Sequence, residues 1–249
     1  MHPHELVRQA LAAAATGRTA RDISRDLGVP ERTVAHWIRG DRRDPAPRPT
    51  GCPRCNGLPL AVAYSYLLGT YLGDGHITVG QRTACLWIYC ADDRPGVRAE
   101  VEDAVAAVLP TSRVSVTPRT GCSAVKSFSR HWLCLFPQHG PGMKHTRRIA
   151  LEPWQQEIVE VHTGPFLRGL FHSDGCRITN WTRRVVAGEI KRYEYPRYMF
   201  SNESYDIMGL CGAALDRLGV AYRMPRPNLL SVARREAVVA LDEHVGPKY

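Results

Sequence analysis

Two stretches of this chain break the usual alternation of apolar and polar positions. Leu67-Leu68-Gly69-Thr70-Tyr71-Leu72-Gly73-Asp74-Gly75 and Leu167-Arg168-Gly169-Leu170-Phe171-His172-Ser173-Asp174-Gly175 are near copies, 100 residues apart (174 − 74). Each is largely apolar around the whole helical circumference and ends in Asp-Gly, a pattern that predicts a helix buried on both sides. After each copy the period changes from 3.6 to 2. Strands are predicted at 76–79 and 85–89, a helix at 95–109 with Val97, Val101, Val105 and Val108 inward, strands at 113–116 and 124–128, and a helix at 130–136. The second half repeats this order with strands at 177–185 and 193–200, a helix at 203–218, strands at 221–223 and 229–232, and a helix at 234–244. The pattern is therefore an α+β chain of two pseudo-symmetric αββαββα subdomains. The first spans 59–137, with Pro59 opening its motif helix, and the second spans 165–249, opened by Pro165. A segment over 138–164 with a helix at 152–161 connects them.

The motif itself poses three physical questions. Gly69 with Gly73, and Gly169 with Ser173, lie four apart and so share one helical face. Small residues on one face allow two backbones to approach closely. The acids Asp74 and Asp174 stand at helix C-termini, where the helix dipole disfavours an anion. Two such anions side by side become sensible when divalent cations lie between them. A lone Asp-Gly is an ordinary helix-ending turn; two copies in matching contexts favour a shared functional site.

Residues 1–40 read as a small all-α helix-turn-helix domain. A helix over 5–15 precedes one capped by Thr19 with Ala20, Ile23 and Leu27 inward, a turn at Gly28, and a helix after Pro30 with Val34, Trp37 and Ile38 inward. In such a unit the second helix enters the major groove. Arg32 and Thr33 would read bases, with His36 and Arg39 nearer the backbone; the alternative is a three-helix bundle that does not touch DNA. Residues 41–58 are a Pro/Arg-rich linker in which Arg42 and Arg43 could track phosphates, followed by the knuckle Cys52-Pro53-Arg54-Cys55. Cys-x-x-Cys is half of a tetrahedral Zn²⁺ site, and Cys122, His131, Cys134 and His139 are possible partners. Two unligated thiols in a turn are the other reading.

Charge narrows the partners. The chain of 249 residues carries 33 Lys+Arg against 24 Asp+Glu, net +9, which suits a polyanion. No apolar run approaches the roughly 18 residues of a membrane span, and no secretory signal is evident. A cytoplasmic, nucleoid-associated protein is expected, its 8 cysteines mostly thiols or metal ligands rather than disulfides.

The paired motifs resemble those of the LAGLIDADG homing endonucleases in their single-chain, two-motif form. The match falls on Leu, first Gly, final Asp and final Gly of the nine-residue motif, with Leu72 and His172 at the sixth position, which is often acidic in the family. The resemblance covers roughly residues 58–246. It implies a monomer with internal pseudo-twofold symmetry, whose motif helices form the interface and whose sheets form a saddle over double-stranded DNA. It also implies that Asp74 and Asp174, with the backbone of Gly73 and Ser173, bind Mg²⁺ (or Mn²⁺) and assist phosphodiester hydrolysis. A basic residue near the last strand would orient water; Lys126 is the candidate, with Arg234 its rough counterpart, although either could simply bind phosphate. DNA-contacting residues are expected in the sheets: His76 and Arg82 in the first half, and Arg177, Arg183, Arg184, Lys191, Arg192 and Arg197 in the second, interleaved with Trp181, Tyr193 and Tyr195. The function implied is site-specific double-strand cleavage. A non-cutting DNA-binding regulator on the same fold is the alternative, and an RNA-splicing cofactor a more remote one.

Overall fold

A computed structural model describes residues 2–40, 52–57, 60–246 and Lys248, in two compact units divided after Thr50. The first unit is three helices, α1 (His4–Ala15), α2 (Ala20–Leu27) and α3 (Glu31–Ile38). The Thr19 hydroxyl accepts the Asp22 amide at 3.2 Å, satisfying one donor at the open end of α2. Gly28 closes α2 at φ +63°, a left-handed conformation that costs glycine nothing. Val7, Ala10, Ile23, Val29, Val34 and Trp37 make the small core. Ile38, expected inside, lies at the surface, because Val34 and Trp37 already fill the inward arc of α3.

The second unit contains both halves of the repeat. The first half runs α4 (Val62–Asp74), β1 (Gly75–Val79), β2 (Ala84–Ala91), α5 (Pro95–Val108), β3 (Val114–Arg119), β4 (Cys122–Phe128) and α6 (Trp132–Leu135). A 3-10 turn at Lys144–Thr146 and α7 (Pro153–Val161) lead to the second half. That half is α8 (Thr163–Asp174), β5 (Gly175–Val186), β6 (Glu189–Ser201), α9 (Tyr205–Arg217), β7 (Arg223–Arg226), β8 (Leu229–Val232) and α10 (Arg235–Val245). The two antiparallel sheets have the same order, β1-β2-β4-β3 and β5-β6-β8-β7. The α+β repeat read from periodicity is therefore the architecture. Pro59 lies outside the described residues, and Val62 is the first helical residue of α4. Helix α8 starts at Thr163, two residues before Pro165; proline is tolerated there because first-turn amides have no partner within the helix.

No loop separates either motif helix from its strand: Asp74 and Asp174 are the last helical residues, and Gly75 and Gly175 the first of β1 and β5. A Cβ on Gly75 would lie 2.6 Å from the Tyr71 Cα, and one on Gly175 would lie 2.7 Å from the Phe171 Cα. Only glycine lets the chain fold back this tightly onto its own helix.

The motif helices form the centre of the core. Every residue of α4 from Tyr64 to Leu72 is buried, and Phe166, Gly169 and Leu170 of α8 come up against its Gly69. The halves are also tied by charge. Arg168 of α8 donates to Glu100 of α5 at 2.8 and 2.5 Å, and to the carbonyl of Val245 in α10.

Strand parity separates the two faces of each sheet. In β2, Ala84, Leu86, Ile88 and Cys90 are buried toward the helices, whereas Trp87 and Tyr89 turn outward and are only partly covered. In the second sheet β5 and β6 extend as a two-stranded ribbon far beyond β8, which pairs only with Tyr198–Ser201. Its tip is Ala187-Gly188, both at positive φ (54° and 83°), the backbone that a two-residue hairpin turn requires.

Candidate active site at the paired helix ends

Close approach of the two motif helices begins at their glycines. A Cβ on Gly69 would lie 2.8 Å from the Leu170 amide nitrogen and overlap the Phe166 carbonyl. A Cβ on Gly169 would lie 2.9 Å from the Thr70 nitrogen and overlap the Tyr66 carbonyl. The helix-interface residues read from spacing are thus in backbone-to-backbone contact. One turn on, Gly73 faces Ser173, whose hydroxyl donates back to the Leu170 carbonyl at 3.0 Å, and a Cβ on Gly73 would come within 2.9 Å of Asp174 Oδ2.

The aspartates therefore emerge side by side where the helices end. Each opens into its own cavity. One, of about 80 Å³, is lined by Asp74, Cys90, Ser173 and Lys248. The other, of about 400 Å³, is lined by Asp174, Gly73, Lys144 and Asn202. The pattern crosses over: each carboxylate shares its cavity with residue 73 or 173 of the opposite helix and with one lysine.

The lysines solve the electrostatic problem posed by two acids at two helix C-termini. Lys144 Nζ donates to the carbonyls of Tyr71, Leu72 and Gly73 at 2.5, 2.9 and 2.8 Å. Lys248 Nζ donates to those of Ser173 and Gly175, both at 3.0 Å. Each ammonium caps the negative end of one motif helix and lies beside the acids. They occupy matching places in the repeat, 70 residues after Asp74 (144 − 74) and 74 after Asp174 (248 − 174).

Burial and crowding set the protonation states. Asp74 keeps a solvent-facing edge, but the protein packed around its carboxyl and the neighbouring Asp174 push it up to about 6. Burial also raises Asp174, against an opposing hydrogen bond from Asn202 Nδ2 at 2.6 Å. Burial lowers Lys144 to about 8 despite both aspartates, and lowers Lys248. His172, at the motif's sixth position, is buried and held neutral, its pKa pushed down to about 4 by burial and Arg168. Its Nδ1 lies 3.1 Å from the Tyr66 hydroxyl.

Lys126 is placed elsewhere. It stands on the outward row of the first sheet, opposite Trp87 in the register, with Nζ 5.4 Å from that indole. The charges acting on Asp74 come from Asp174, Lys248 and Lys144, not from Lys126. Arg234 lines a surface groove with Arg197, Arg223 and Tyr195. The sequence reading missed Lys144 and Lys248. A usable signal was present: each follows a Gly-Pro that comes after the last helix of its repeat, Gly140-Pro141 and Gly246-Pro247.

The same parity sorts the other basic residues. His76 shares the outward row of the first sheet, stacked within 6.1 Å of Trp87 and 5.6 Å of Tyr89, and Arg82 is exposed in the β1–β2 turn. On the ribbon, Arg184, Lys191 and Arg197 fall on the row with Tyr193 and Tyr195, facing away from the helices. Arg177, Arg183 and Arg192 fall on the opposite row with Tyr198, which packs on Phe171. Arg183 and Arg192 flank Trp181 at 5.4 and 5.0 Å. Arg177 is engaged by Asp242 through two hydrogen bonds of 2.7 and 2.9 Å. In the first unit Arg32, His36 and Arg39 are exposed and Thr33 half-buried on α3. Arg42 and Arg43 lie outside the described residues. Cys52 and Cys55 stand beside α6, away from the aspartates.

No family model and no curated protein matches the chain. Solved structures do. The homing endonuclease I-DmoI, in complex with DNA and Ca, is 14% identical over 76% of this chain and 93% of its own, with a TM-score of 0.48. The LAGLIDADG meganuclease I-AabMI, bound to uncleaved DNA, is 10% identical over 73% of this chain and 83% of its own, with a TM-score of 0.46. The architecture itself rests on this chain's own geometry: two Asp-Gly helices joined at their glycines, each leading into ββαββα with one strand order. This is the two-motif arrangement that the sequence resemblance implied. The two motifs lie at its pseudo-twofold centre and the sheets flank them, as the sequence resemblance implied. Among the described residues, no helix is long and apolar enough to cross a membrane.

Proposed function

We propose that this chain is a site-specific, divalent-metal-dependent endonuclease that cuts both strands of double-stranded DNA. The observation that carries the reading is the crossed pair of cavities. Each holds one of the motif aspartates, the end of the opposite motif helix and one lysine. The donor chemistry fits a hard cation: Asp74, Asp174 and the carbonyls of Gly73 and Ser173 are all oxygen donors. Both acids are held above the usual carboxylate range, so a cation is the partner that would relieve them. Mg²⁺ or Mn²⁺ bound there would supply charge stabilisation at the attacking and leaving oxygens of a phosphodiester. The chain's own residues do the rest. Asn202 orients Asp174. Lys144 and Lys248 place positive charge where a phosphate would lie. The outward rows bearing His76, Trp87 and Lys126, and Arg184, Lys191 and Arg197, supply duplex contacts, with α3 of the first unit as an added reader through Arg32, Thr33, His36 and Arg39.

One observation favours a second reading, a DNA-binding regulator that does not cut. The Gly73 and Ser173 carbonyls already accept Lys144 and Lys248. With Leu72 and His172 at the sixth motif position, the acid pair is compensated from within the chain. A randomised DNA library incubated with Mg²⁺ or Mn²⁺ separates the two. The enzyme is expected to cut a selected site, with Asp74→Asn or Asp174→Asn abolishing cleavage while binding persists. Lys144→Met should lower the rate about 100-fold, the scale of one lost charge-stabilising donor. Binding to a selected site without any nicking by the wild type would establish the regulator instead.

A further inference from the structure

The fold brings a second cluster of soft donors together far from the aspartates. Cys52 and Cys55 meet His131 and Cys134 across nearly 80 residues of chain. Cys55 Sγ lies 3.6 Å from His131 Nδ1 and 3.8 Å from Cys134 Sγ, and Cys134 Sγ lies 3.8 Å from His131 Nδ1. The donor atoms of Cys52, Cys55 and His131 all fall within 4.8 Å of one another.

These lengths have a specific meaning. Around tetrahedral zinc, with bonds of about 2.3 Å to sulfur and 2.0–2.1 Å to nitrogen, adjacent sulfurs stand about 3.8 Å apart, and sulfur and nitrogen about 3.6 Å. The edges among Cys55, His131 and Cys134 match those lengths to within about 0.2 Å. A disulfide would instead bring two sulfurs to about 2.05 Å. We propose that Cys52, Cys55, His131 and Cys134 form a Cys3His structural Zn²⁺ site.

Local structure explains how each pair is presented. Cys52 and Cys55 bracket a tight turn in which the Asn56 amide donates to the Cys52 carbonyl at 3.2 Å, and Gly57 takes φ +64°. His131 is the N-cap of α6 and Cys134 lies three residues on, so both side chains fall on one face of that short helix. The Cys134 amide donates to the His131 carbonyl at 3.0 Å, which fixes this spacing. Cys122 and His139, the other donors considered from sequence, lie elsewhere: Cys122 begins β4, and His139 is near His76.

The site has a structural task. It joins the segment ahead of α4 to α6, which packs on the same motif helix: the Tyr64 hydroxyl donates to the Leu135 carbonyl at 2.5 Å, and Phe136 stacks on Tyr71 at 4.3 Å. Next to the knuckle, the Arg54 guanidinium sits 4.4 Å over the Trp154 ring of α7. A metal closing a loop of this length restrains the unfolded chain and holds the first half against the connecting helix.

Elemental analysis of the full-length protein, purified without added metal or chelator, tests the proposal directly. Wild type, Cys122→Ser and Cys176→Ser are expected to carry about one zinc per chain, the stoichiometry of a closed structural site. Cys134→Ser and His131→Asn should fall below about one fifth of that, and Cys134→His, which keeps a ligand, should retain it. Because a ligand variant could misfold, the wild type is also stripped with chelator and titrated with Co²⁺, which gives thiolate-to-metal charge transfer and the visible bands of a tetrahedral site when bound by these donors. A wild type that neither carries zinc nor gives the tetrahedral Co²⁺ spectrum would overturn the site. So would full zinc content in Cys134→Ser and His131→Asn, or a Cys55–Cys134 disulfide in the native protein. All these readouts are independent of DNA cleavage.

Discussion

Gly169→Ala is the most informative single substitution in this chain, because the same change elsewhere should have the opposite sign. The added Cβ would stand 2.9 Å from the Thr70 nitrogen, where ordinary contact begins at 3.4 Å, so the helices must part by at least 0.5 Å. The overlapping atoms are backbone, which cannot swing aside as a side chain can. A gap of that order forfeits about a quarter of the contact energy at the interface, and a buried leucine makes roughly 50 contacts of about 0.15 kcal/mol, so each loses about 2 kcal/mol. Phe166 and Leu170 both lie in this interface beside Gly69 and are fully buried, giving about 4 kcal/mol. Alanine's better helix propensity returns about 1 kcal/mol, leaving a net loss near 3 kcal/mol. Gly209 is the internal control. It is exposed within α9, and a Cβ there would meet nothing within 4 Å. Gly209→Ala should therefore stabilise by up to about 1 kcal/mol. Urea unfolding of the two variants beside wild type reads both effects, with Gly69→Ala expected to follow Gly169→Ala. Unfolding of Gly169→Ala within about 0.5 kcal/mol of wild type, the range of ordinary surface substitutions, would refute close contact between the helices.

Two further outcomes follow from the charges. Asp74 is raised to about 6 from 3.8 in the fold, so the folded state binds its proton more tightly than the unfolded chain does. The associated stability is fully present below 3.8 and lost as pH rises through 6. Without divalent metal, the melting temperature of Asp74→Asn should therefore gain on wild type between pH 4 and 7, and added Mg²⁺ should narrow that difference; a constant offset across pH would contradict the assignment. On the ribbon, Arg184→Ala and Lys191→Ala should weaken binding to all DNA sequences alike and each reduce the salt slope by about one. Arg177→Ala should lower stability and leave the salt slope unchanged, since its guanidinium is held by Asp242.

What the sequence disclosed, and what it did not, follows from the range of each interaction. The repeat, the element order and the interface glycines were legible because helix and strand periods and the i, i+4 spacing are local properties of the string. Lys126 was a poor guide to the cations beside the acids, because its place beside Trp87 depends on strand register rather than on distance from the motif. Lys144 and Lys248 lie in segments without periodicity, and only the recurring Gly-Pro before each marked them. The six basic residues of the ribbon read as one patch, but the pleat sends Arg184, Lys191 and Arg197 to one face and Arg177, Arg183 and Arg192 to the other. The knuckle at Cys52 was visible, whereas the choice of His131 and Cys134 over Cys122 and His139 required the tertiary fold. Ile38 was misplaced because Val34 and Trp37 suffice for so small a core.

The two halves share a plan but are not chemically equal at the centre, and the register shows where they part. Gly75 pairs with Ile88 and Gly175 with Phe200, so two residues further along the partner strand Cys90 occupies the place that Asn202 holds in the second half. Asn202 donates to Asp174 and favours its charged form. Cys90 is a buried thiol whose own ionisation Asp74 opposes, so it offers Asp74 no comparable support. Burial raises both acids, and the neighbouring Asp174 adds to the burial that pushes Asp74 up to about 6. Each lysine caps one helix while lining the cavity of the other helix's acid. A change at Lys248 thus reaches Asp74 and the α8 terminus together, whereas one at Lys144 reaches Asp174 and the end of α4. The crossed wiring joins the two sites through the lysines: both aspartates act on Lys144 and on Lys248, so a change in the charge of either acid reaches both ammonium groups.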